Sequence, residues 1–398
     1  KYGGATLETP EKIKAAALRI AKTKNNGQQV VAIVSAMGQT TNQLLDLSQQ
    51  VSKKPLLREL DMLLSVGERI SMSLMSMALN DLNHQAISLT GSQAGIFTDD
   101  AHVNAMIRDV KAHRVTEALQ ENKIVIIAGF QGVSPKTKEI TTLGRGGTDT
   151  TAVAMASFLK ADRCEILKDV PSVFSADPKL VKNARPLHKL SYPILLEMTY
   201  WGAKVLHYRS VELAFMNKVK LYVGPAAEND EDTNQGTIIQ EDIMFESTKP
   251  IAVNSHQSVF AISIKNKTQS EAIELLNEDF KRNQIGTPQI LFGISSNTNE
   301  ILLFVTAPHE IMTMIKDLCS KNENLKIENP NLCSVSLTCT GSSLNEVLNQ
   351  CQKKLAEQNI QPKYFTQSAM SLNFFIDNDK KNQAIQILCA HAAAGCAK

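Results

Sequence analysis

An arginine set among glycines is the part of this sequence with the clearest potential for chemistry. The stretch LGRGGTDTTAVAMASFLKAD, residues 143–162, surrounds Arg145 with three glycines and continues through Thr148 and Asp149 into an apolar run at helical spacing. Glycines let a ligand approach the backbone closely, and a helix N-terminus offers free N–H groups to anions. A guanidinium binds a carboxylate or a phosphate with two hydrogen bonds. The segment therefore predicts an anion site at the start of a helix.

A lysine before a glycine turn is the second candidate. In KYGGATL, Lys1 precedes Gly3 and Gly4, and the hydroxyl of Thr6 could bond a phosphate oxygen. An ammonium group in that place could neutralise the charge of a transferring phosphoryl group. The alternative is a surface charge before a turn, which is the usual role of a single lysine in such a motif.

A carboxylate in a helical context is the third candidate. Glu68 and Arg69 lie in SVGERIS, within a run whose apolar positions recur at helical spacing. The Glu-Arg pair predicts a solvated face or a structural ion pair. The competing interpretation is that Glu68 faces a substrate ammonium group.

An acidic group, an aromatic ring and a lysine share one later loop. In KDVPSVFSADPK, Asp169 follows a strand-like run, Phe174 comes next, and Lys179 follows an Asp-Pro turn signal. This combination would suit a nucleotide. Lys204, in WGAKVLHYRSVELA, lies in a helix-like run where a solvated lysine is the alternative.

The elements that must position these residues alternate between strands and helices. Four continuous apolar runs end in polar or glycine-bearing turns: QQVVAIVSAMG, QAISLTGSQAG, NKIVIIAGFQG and CEILKDV. Such runs, separated by helices, predict a mainly parallel sheet covered on both faces. Ligands of such sheets lie beyond the carboxyl ends of the strands. The residues expected there are Ser35, Thr90, Gly91, Gly129, Phe130 and Asp169.

After the polar segment NDEDTNQGTII the pattern changes to short strands and amphipathic helices. Two copies of a β-α-β-β-α-β unit are predicted, which is the ferredoxin-like arrangement. The expected domains are residues 1–245, 246–325 and 326–398. The alternative for the C-terminal part is one α+β domain without a ligand.

Composition excludes several classes. The 398 residues include 43% hydrophobic and 21% charged residues, with a net charge of +2, as in a globular protein. The sequence has no Lys/Arg tract, so no nucleic-acid or membrane-surface role is expected. No apolar stretch is expected to reach the roughly 18 residues of a membrane span, and the start does not have the layout of a signal peptide. Six of the seven cysteines follow residue 318 without metal-ligand spacing, which favours thiols in a reducing cytoplasm over disulfides or zinc ligands.

Taken together and in this order, the motifs resemble the aspartate kinase family of the amino-acid kinase superfamily. The matching stretches lie between residue 1 and about 215, and the quoted sequences are KYGGATL, VSAMGQTTNQLL, LLSVGERIS, TGSQAGIFTD, AGFQG, TTLGRGGTDTTAVA, KADRCEILKDV, SADP and GAKVLHYRSVELA. The resemblance implies an α/β, three-layer kinase domain with a mainly parallel central sheet. Two ferredoxin-like ACT domains would follow it. It also implies ATP-dependent phosphorylation of the L-aspartate β-carboxylate, with Mg²⁺ bridging the phosphates.

The resemblance also implies roles for individual residues. Catalysis would fall to Lys1, Arg145 and Asp149. Aspartate would be bound by Ser35, Thr41, Glu68, Arg145 and Thr148. ATP would be bound by Lys1, Gly3, Gly4, Lys168, Asp169, Phe174, Lys179 and Lys204, and no protein residue would ligate a metal. A lysine or threonine effector at the ACT domains and a homo-oligomer formed by ACT pairing are also implied.

The sequence departs from the family pattern in both halves. Ala5-Thr6 stands where Thr-Ser is usual, and Lys168, Ser172 and Tyr208 replace the usual Thr, Gly and Pro. The first ACT segment, IKNKTQSEA, lacks the usual Pro-Gly turn, and LTCTGSSLNEV stands where the family usually has a glycine-rich effector loop. Weaker feedback inhibition is therefore expected. A kinase for a glutamate-type substrate and a catalytically silent amino-acid sensor remain the alternatives.

Overall fold

The computed structural model describes residues 1–226, 235–241, 250–265, 267–282, 288–295, 300–307, 309–339 and 344–394. Several sequence predictions fall outside these ranges. They are most of the segment NDEDTNQGTII, the domain boundary at 245/246, Asn266 in the first effector segment, residues 340–343 in the second, and Cys396.

The helices and strands of the described residues alternate along the first part of the chain and then form two β-rich repeats. The helices are α1 (Pro10–Asn25), α2 (Thr40–Val51), α3 (Leu57–Leu64), α4 (Val66–Asp81), α5 (His113–Gln120), α6 (Gly147–Leu159), α7 (Tyr192–Tyr200), α8 (Tyr208–Met216), α9 (Gln269–Arg282), α10 (His309–Lys321), α11 (Leu344–Glu357) and α12 (Lys381–Ala394). The strands are β1 (Val31–Val34), β2 (Ala86–Leu89), β3 (Ile96–Thr98), β4 (Ile107–Val110), β5 (Ile124–Ala128), β6 (Gln131–Val133), β7 (Ile140–Thr142), β8 (Cys164–Lys168), β9 (Lys189–Ser191), β10 (Leu221–Pro225), β11 (Thr237–Gln240), β12 (Pro250–Lys265), β13 (Gln289–Ser295), β14 (Glu300–Thr306), β15 (Leu325–Cys339), β16 (Tyr364–Gln367) and β17 (Ser371–Asp377).

The chain divides into two compact units. The first unit contains Lys1–Val173, Pro186–Leu196 and Lys204–Ile243, and the second contains Phe174–Arg185, Glu197–Ala203 and Met244–Lys398. Two short segments of the predicted kinase half, 174–185 and 197–203, therefore belong to the second unit. The predicted domain boundaries at 245/246 and 325/326 stay predictions.

The first unit is built on a mainly parallel sheet, as predicted. One half has the strand order β1-β5-β2, and the other has the order β8-β10-β11-β9. The four predicted apolar strands are β1, β2, β5 and β8, and β5 is buried at every position. A smaller sheet with the order β4-β3-β6-β7 was not predicted, because its strands are only three or four residues long.

The core of the first unit lies between α1, α4 and the parallel sheet. Ile13, Ala17 and Ile20 of α1 are buried together with Met75 and Leu79 of α4. These α1 positions recur every three to four residues, so one face of the helix packs on the sheet while lysines occupy much of the other. Two of the three methionines of α4 are buried in this core.

The stretch Leu57–Asp81, which contains α3 and α4, is long and apolar enough to cross a membrane, because an 18-residue window within it has a mean hydropathy of 1.2. The expectation that no stretch of the sequence would reach this length was wrong. The serines and methionines between its leucines make the apolar character hard to see as a continuous run. The core helix of a globular unit passes the same test, and 44% of the window is buried, so one such stretch is weak evidence for a span.

The second unit contains one six-stranded sheet with the order β13-β14-β12-β15-β17-β16. The long strands β12 and β15 pair antiparallel along both halves, with register shifts between His256 and Val259. Helices α9 and α10 pack on one half of the sheet, and α11 and α12 pack on the other. In chain order, β12, α9, β13, β14, α10 and β15 follow the predicted β-α-β-β-α-β arrangement. No strand follows α12 among the described residues, and the N-terminal half of β12 pairs with the second repeat instead. The two separate strand patterns in the sequence did not reveal this shared sheet.

The described cysteines are free thiols, as expected. Cys164, Cys319, Cys333, Cys339 and Cys351 are buried and Cys389 is half-buried. Burial raises the pKa of the Cys351 thiol to about 12, which keeps it protonated and unreactive.

Candidate active site

Lys1 lies at the centre of the parallel sheet. Tyr2 makes single parallel bridges to Val34 of β1 and Leu167 of β8. The Tyr2 N–H donates to Ile33 O at 2.9 Å, and the Leu167 N–H donates to Lys1 O at 2.8 Å. Lys1, Tyr2 and Gly3 therefore lie between β1 and β8 and join the two halves of the sheet; we call this short segment the rung. The Lys1 side chain is held where the carboxyl ends of β1 and β8 meet, which is where α/β sheets bind ligands.

Two lysines and one aspartate form a buried charge cluster. Lys1 Nζ lies 2.6 Å from Asp149 Oδ1, and each side chain is 6% exposed. Lys168 Nζ, at the end of β8, lies 3.7 Å from Asp149 Oδ2. Burial by itself raises the pKa of Asp149, but the charges of Lys1 and Lys168 outweigh it and lower the pKa to about 2. The cluster therefore holds one ionised carboxylate between two amines.

The start of α6 places Asp149 in this cluster. Gly146, at the N-cap, has φ +72°, and a Cβ there would lie 2.2 Å from His207 Cβ. A residue with a side chain would be strained by its φ and would also clash, so glycine is required for the helix to begin here. Asp149 then lies in the first turn, where the positive end of the helix dipole favours a negative charge.

Glu68 is a second buried carboxylate, in the first turn of α4. It is 3% exposed, and its Oε1 accepts a hydrogen bond from the Ala36 N–H at 3.1 Å. Within the described part of the chain, Oε2 has no hydrogen-bond partner. Burial raises the pKa of Glu68 to about 7, although the Ala36 N–H and the charge of Lys1 oppose the rise. The solvated-face interpretation of the Glu68-Arg69 pair is therefore wrong for Glu68.

Three other predicted substrate residues lie at the ends of strands or the starts of helices in the same unit. Ser35 directly follows β1, and its N–H donates to Tyr2 O at 3.2 Å. Thr41 lies in the first turn of α2 and is half-buried, and Thr148 is 7% exposed at the start of α6. Arg145 is exposed, between Gly144 and Gly146. Arg145 is therefore an exposed cation four residues before Asp149 in the chain, accessible to a ligand.

The glycines that were expected to cradle phosphates line the same turn. Gly3 donates its N–H to Leu167 O at 3.1 Å. A Cβ on Gly4 would lie 2.9 Å from Ala36 O. The Thr6 hydroxyl, which was expected to replace a serine, donates to Gly3 O at 2.7 Å. In this structure Thr6 therefore closes the turn.

The residues predicted to bind the nucleotide are spread over both units of the chain. Asp169 follows β8 and is exposed. Phe174 and Lys179 belong to the second unit, and their part in the site stays a prediction. Lys204 is exposed and lies in a bend before α8; its expected helical position is wrong, because α8 begins only at Tyr208 after the N-cap His207.

Two ionisable residues that make several internal hydrogen bonds were not predicted from the sequence. Asp61, in α3, is fully buried, and Arg209, in α8, donates to three acceptors. A single aspartate in the apolar run LDMLLS and an arginine directly after a helix start were the available signals. Arg209 lies within the stretch GAKVLHYRSVELA, but no role was assigned to it, and Asp61 lies outside the stretches that carry the family resemblance.

The model of the amino acid kinase family matches residues 1–225 of this chain. The chain belongs to the amino acid kinase family. The match covers the strands that meet at Lys1, the cluster around Asp149, and Glu68.

Curated relatives of this family member carry the name aspartokinase. The protein of Corynebacterium glutamicum is 49% identical over 267 residues, which is 66% of this chain and 62% of the relative. The protein of Mycobacterium tuberculosis strain H37Rv is 54% identical over 223 residues, 56% of this chain and 53% of the relative. The chain thus spans between half and two thirds of the length of these relatives.

Solved structures of the family share the fold. Aspartokinase III of E. coli in complex with aspartate and ADP matches with a TM-score of 0.80 and 19% identity, covering 98% of each chain. The aspartate kinase of Synechocystis matches with a TM-score of 0.54 and 29% identity, covering 98% of this chain and 68% of the other. The predicted fold class, an α/β kinase domain followed by ACT-like repeats, is confirmed.

Proposed function

We propose that this chain phosphorylates the β-carboxylate of L-aspartate with ATP, giving 4-phospho-L-aspartate and ADP. The reaction is the first step toward lysine, methionine and threonine. Relatives named aspartokinase at about half identity support the proposal, as does the shared fold of an aspartokinase that binds aspartate and ADP.

One observation carries the proposal: a buried carboxylate with a free oxygen lies near a buried cluster of amines. Oε2 of Glu68 has no hydrogen-bond partner among the described residues, and a buried carboxylate oxygen gains most from a cationic donor. A substrate α-ammonium group supplies such a donor. The charge of Lys1 acts on Glu68, so a bound amino acid would lie beside the Lys1–Asp149–Lys168 cluster. An amino-acid substrate fits this arrangement better than a neutral one.

The chemistry follows from these charges. An oxygen of the β-carboxylate attacks the γ-phosphorus, a new O–P bond forms, and the bond from the γ-phosphorus to the β,γ-bridging oxygen breaks as ADP leaves. The attacking carboxylate is already ionised, so no residue needs to remove a proton. Lys1 and Lys168 would offset the negative charge on the transferring group, and Asp149 would orient both amines. Catalysis is then mainly positioning and charge neutralisation.

The remaining predicted residues complete the proposal. Arg145 would bind a carboxylate of aspartate, with Ser35, Thr41 and Thr148 around the same substrate. Gly3 and Gly4 would approach the phosphates of ATP, while Asp169, Phe174, Lys179 and Lys204 would lie around the rest of the nucleotide. These roles come from the family resemblance.

Mg²⁺ would be held mainly by the nucleotide. The described residues contain no group of three or more histidine, cysteine or acidic side chains that could hold a metal ion, and both oxygens of Asp149 face lysines. The phosphate oxygens of the nucleotide then supply most of the ligands, which suits Mg²⁺, an ion that usually binds substrate phosphates with few protein ligands. When bound, the ion would supply further neutralisation of phosphate charge.

Regulation and assembly are also part of the proposal. Aspartokinase III of E. coli has been solved with lysine and aspartate in a T-state, and lysine or threonine is the effector we propose for the ACT-like repeats here. We propose a cytoplasmic homo-oligomer that forms by pairing of these repeats, with no nucleic-acid or membrane partner.

A hydroxylamine-trapping assay tests the function. The purified chain is incubated with ATP, Mg²⁺ and either aspartate, glutamate or no amino acid, and both ADP and the acyl hydroxamate are measured. Aspartate-dependent formation of both products supports the proposal. Activity only with glutamate indicates the other kinase, and nucleotide or amino-acid binding without product indicates a silent sensor.

A further inference from the structure

The loop that carries Arg145 cannot fix its own shape. Gly144 has φ +73° and Gly146 has φ +72°, and glycine adopts many other conformations at little cost. The loop, residues 143–147, must therefore take its geometry from contacts outside it. Two ionisable residues, the fully buried Asp61 and the half-buried Arg209, supply such contacts.

Asp61 holds the segment just before the loop. The Thr142 hydroxyl donates to Asp61 Oδ1 at 2.5 Å. The Val103 N–H donates to the same oxygen at 3.0 Å, and His102 Nδ1 lies 2.6 Å from Oδ2. Asp61 is 0% exposed, so it accepts all of its hydrogen bonds inside the protein.

Arg209 holds the same two segments from α8. Its Nη1 donates to Leu143 O at 2.9 Å and to Asn104 Oδ1 at 3.1 Å. Its Nη2 donates to Ala105 O at 2.8 Å. The Ala105 N–H in turn donates to Thr142 O at 2.9 Å. The Asp61 carboxylate, which accepts hydrogen bonds, and the Arg209 guanidinium, which donates them, thus hold residues 102–105 and 142–143 together.

The two segments also meet at the loop itself. A Cβ on Gly144 would lie 2.9 Å from Val103 O and 3.0 Å from Asn104 Oδ1. A displacement of residues 102–105 therefore shifts the backbone next to Arg145. The loop and this segment form one packed assembly that is joined to α3 through Asp61 and to α8 through Arg209.

We propose that Asp61 and Arg209 are positioning residues that hold Arg145 in its substrate-binding geometry. This inference rests on the proposed function only for the identity of the substrate. Neither residue needs to touch a substrate, and their effect passes through Thr142 and Leu143. Because Asp61 is fully buried and Arg209 is half-buried, water cannot fully replace a hydrogen bond that either one loses, and loss of a single bond should loosen the loop.

Two adjacent buried threonines provide a matched test. Thr142→Val removes the hydroxyl that binds Asp61, whereas Thr141→Val removes a hydroxyl that lies 2.6 Å from Thr98 Oγ1. Both residues are 0% exposed, and both changes conserve shape. A hydrogen bond to a charged group is stronger than one between two hydroxyls, so Thr142→Val should raise the KM for aspartate about tenfold. The KM for ATP should stay within about twofold in both variants, and Thr141→Val should leave both constants near the wild-type values. Equal effects of the two variants on aspartate, or an equal rise in both KM values for Thr142→Val, would overturn the inference.

Hydrogen exchange gives a readout that needs no substrate. In Thr142→Val, the amides of residues 143–147 should exchange faster while those in the middle of α6 keep their protection. In Thr141→Val, residues 143–147 should exchange as in the wild type. Unchanged exchange in Thr142→Val overturns the positioning role, even if the chain proves inactive on aspartate. If the wild-type chain forms no aspartate-dependent product while the two variants show the expected exchange, only the proposed function is refuted.

Arg209→Lys decides the matter if Thr142→Val does not fold. A lysine keeps the charge but cannot reach three acceptors in the same geometry. The same faster exchange at residues 143–147, with an unchanged α6, is expected. Normal exchange in Arg209→Lys contradicts the inference.

Discussion

The two units bury polar groups of different kinds. The buried carboxylates among the described residues are Asp61, Glu68 and Asp149, and all three belong to the first unit. The second unit buries neutral groups instead, such as Asn254, Ser336 and Asn373, which are paired across neighbouring strands of its sheet.

The contrast between the units follows from the cost of burying a charge. A buried charge is costly unless a partner compensates it, and in the first unit each carboxylate has a lysine, a histidine, a hydroxyl or an N–H beside it. In the second unit, Asn254 Nδ2, Ser336 Oγ and Asn373 Oδ1 have no partner among the described residues. An unpartnered amide or hydroxyl costs far less than an unpartnered charge. The described part of the first unit therefore buries carboxylates beside compensating partners, whereas that of the second unit buries neutral groups, some of them without a partner.

The largest effect should come from neutralising Asp149. Asp149→Asn leaves Lys1 and Lys168 buried together without a countercharge, so the free energy of unfolding should fall by about 3–5 kcal/mol. Activity on aspartate should also be lost, because the two amines repel each other. Denaturant unfolding and ADP release measure the two effects. Asp162→Asn, at an exposed position beyond α6, is the control and should change neither. A stable, active Asp149→Asn would show that the first unit does not depend on its buried charge.

The next effect concerns Arg145. Arg145→Ala should raise the KM for aspartate by about ten- to a hundredfold, since a charge-assisted pair contributes about 1.5–3 kcal/mol. The KM for ATP should change little. Arg114→Ala, an exposed arginine of α5, serves as the control in the same steady-state kinetics. An unchanged KM for aspartate and an unchanged kcat would remove Arg145 from the substrate site.

A pH effect on substrate binding should follow from Glu68. Its pKa is raised to about 7 in the free protein, so the carboxyl group is protonated below that value and cannot pair with an ammonium group. The apparent affinity for aspartate should therefore rise with pH up to about 7 and fall about tenfold per unit below it. The ammonium and carboxyl groups of aspartate do not titrate between pH 5.5 and 8. Calorimetric titration over that range measures the dependence. Glu68→Gln should bind aspartate weakly and without this slope, and a slope that survives the substitution would assign it to another group.

The smallest effect should come from Ser336 in the second unit. Its hydroxyl is buried without a partner among the described residues, so Ser336→Ala removes an unsatisfied group. The free energy of unfolding should stay the same or rise by up to about 1 kcal/mol, with kcat unchanged. A loss of more than about 1 kcal/mol would mean that the hydroxyl has a partner such as bound water. The contrast between the units would then be weaker.

The sequence predicted the strands around the site because they are continuous apolar runs. The same runs placed Ser35, Gly129 and Asp169 at the carboxyl edge of the sheet. Lys1 and Asp149 are 148 positions apart, and no local sequence pattern encodes a contact at that separation. Only the family resemblance could predict that they share a site. The sequence predicted short strands in the second unit, whereas β12 runs over Pro250–Lys265, because polar residues such as Asn254 and His256 interrupt the apolar pattern in its N-terminal half.

The roles of Asp61 and Arg209 could not be predicted for a related reason. A hydrogen-bond network depends on which loops meet in space, and residues 102–105 meet residues 142–143 only in the folded unit. Single charged residues in a helix are more often solvated than buried, so their type and spacing indicated nothing. Burial and contact geometry were needed to distinguish them from the many exposed charges of α1 and α5.

The rung formed by Lys1, Tyr2 and Gly3 has a consequence for how the first unit folds. It pairs with β8, whose partner residue Leu167 lies 165 positions away from Tyr2, and contacts at such long separation are reached late and slowly. Until that pairing forms, β1 and β8 have no common neighbour, and Lys1 has no fixed position beside Asp149. Closure of the sheet and assembly of the charge cluster are therefore one kinetic event. Any intermediate in which the two half-sheets are formed but unjoined should be compact and have no enzymatic activity.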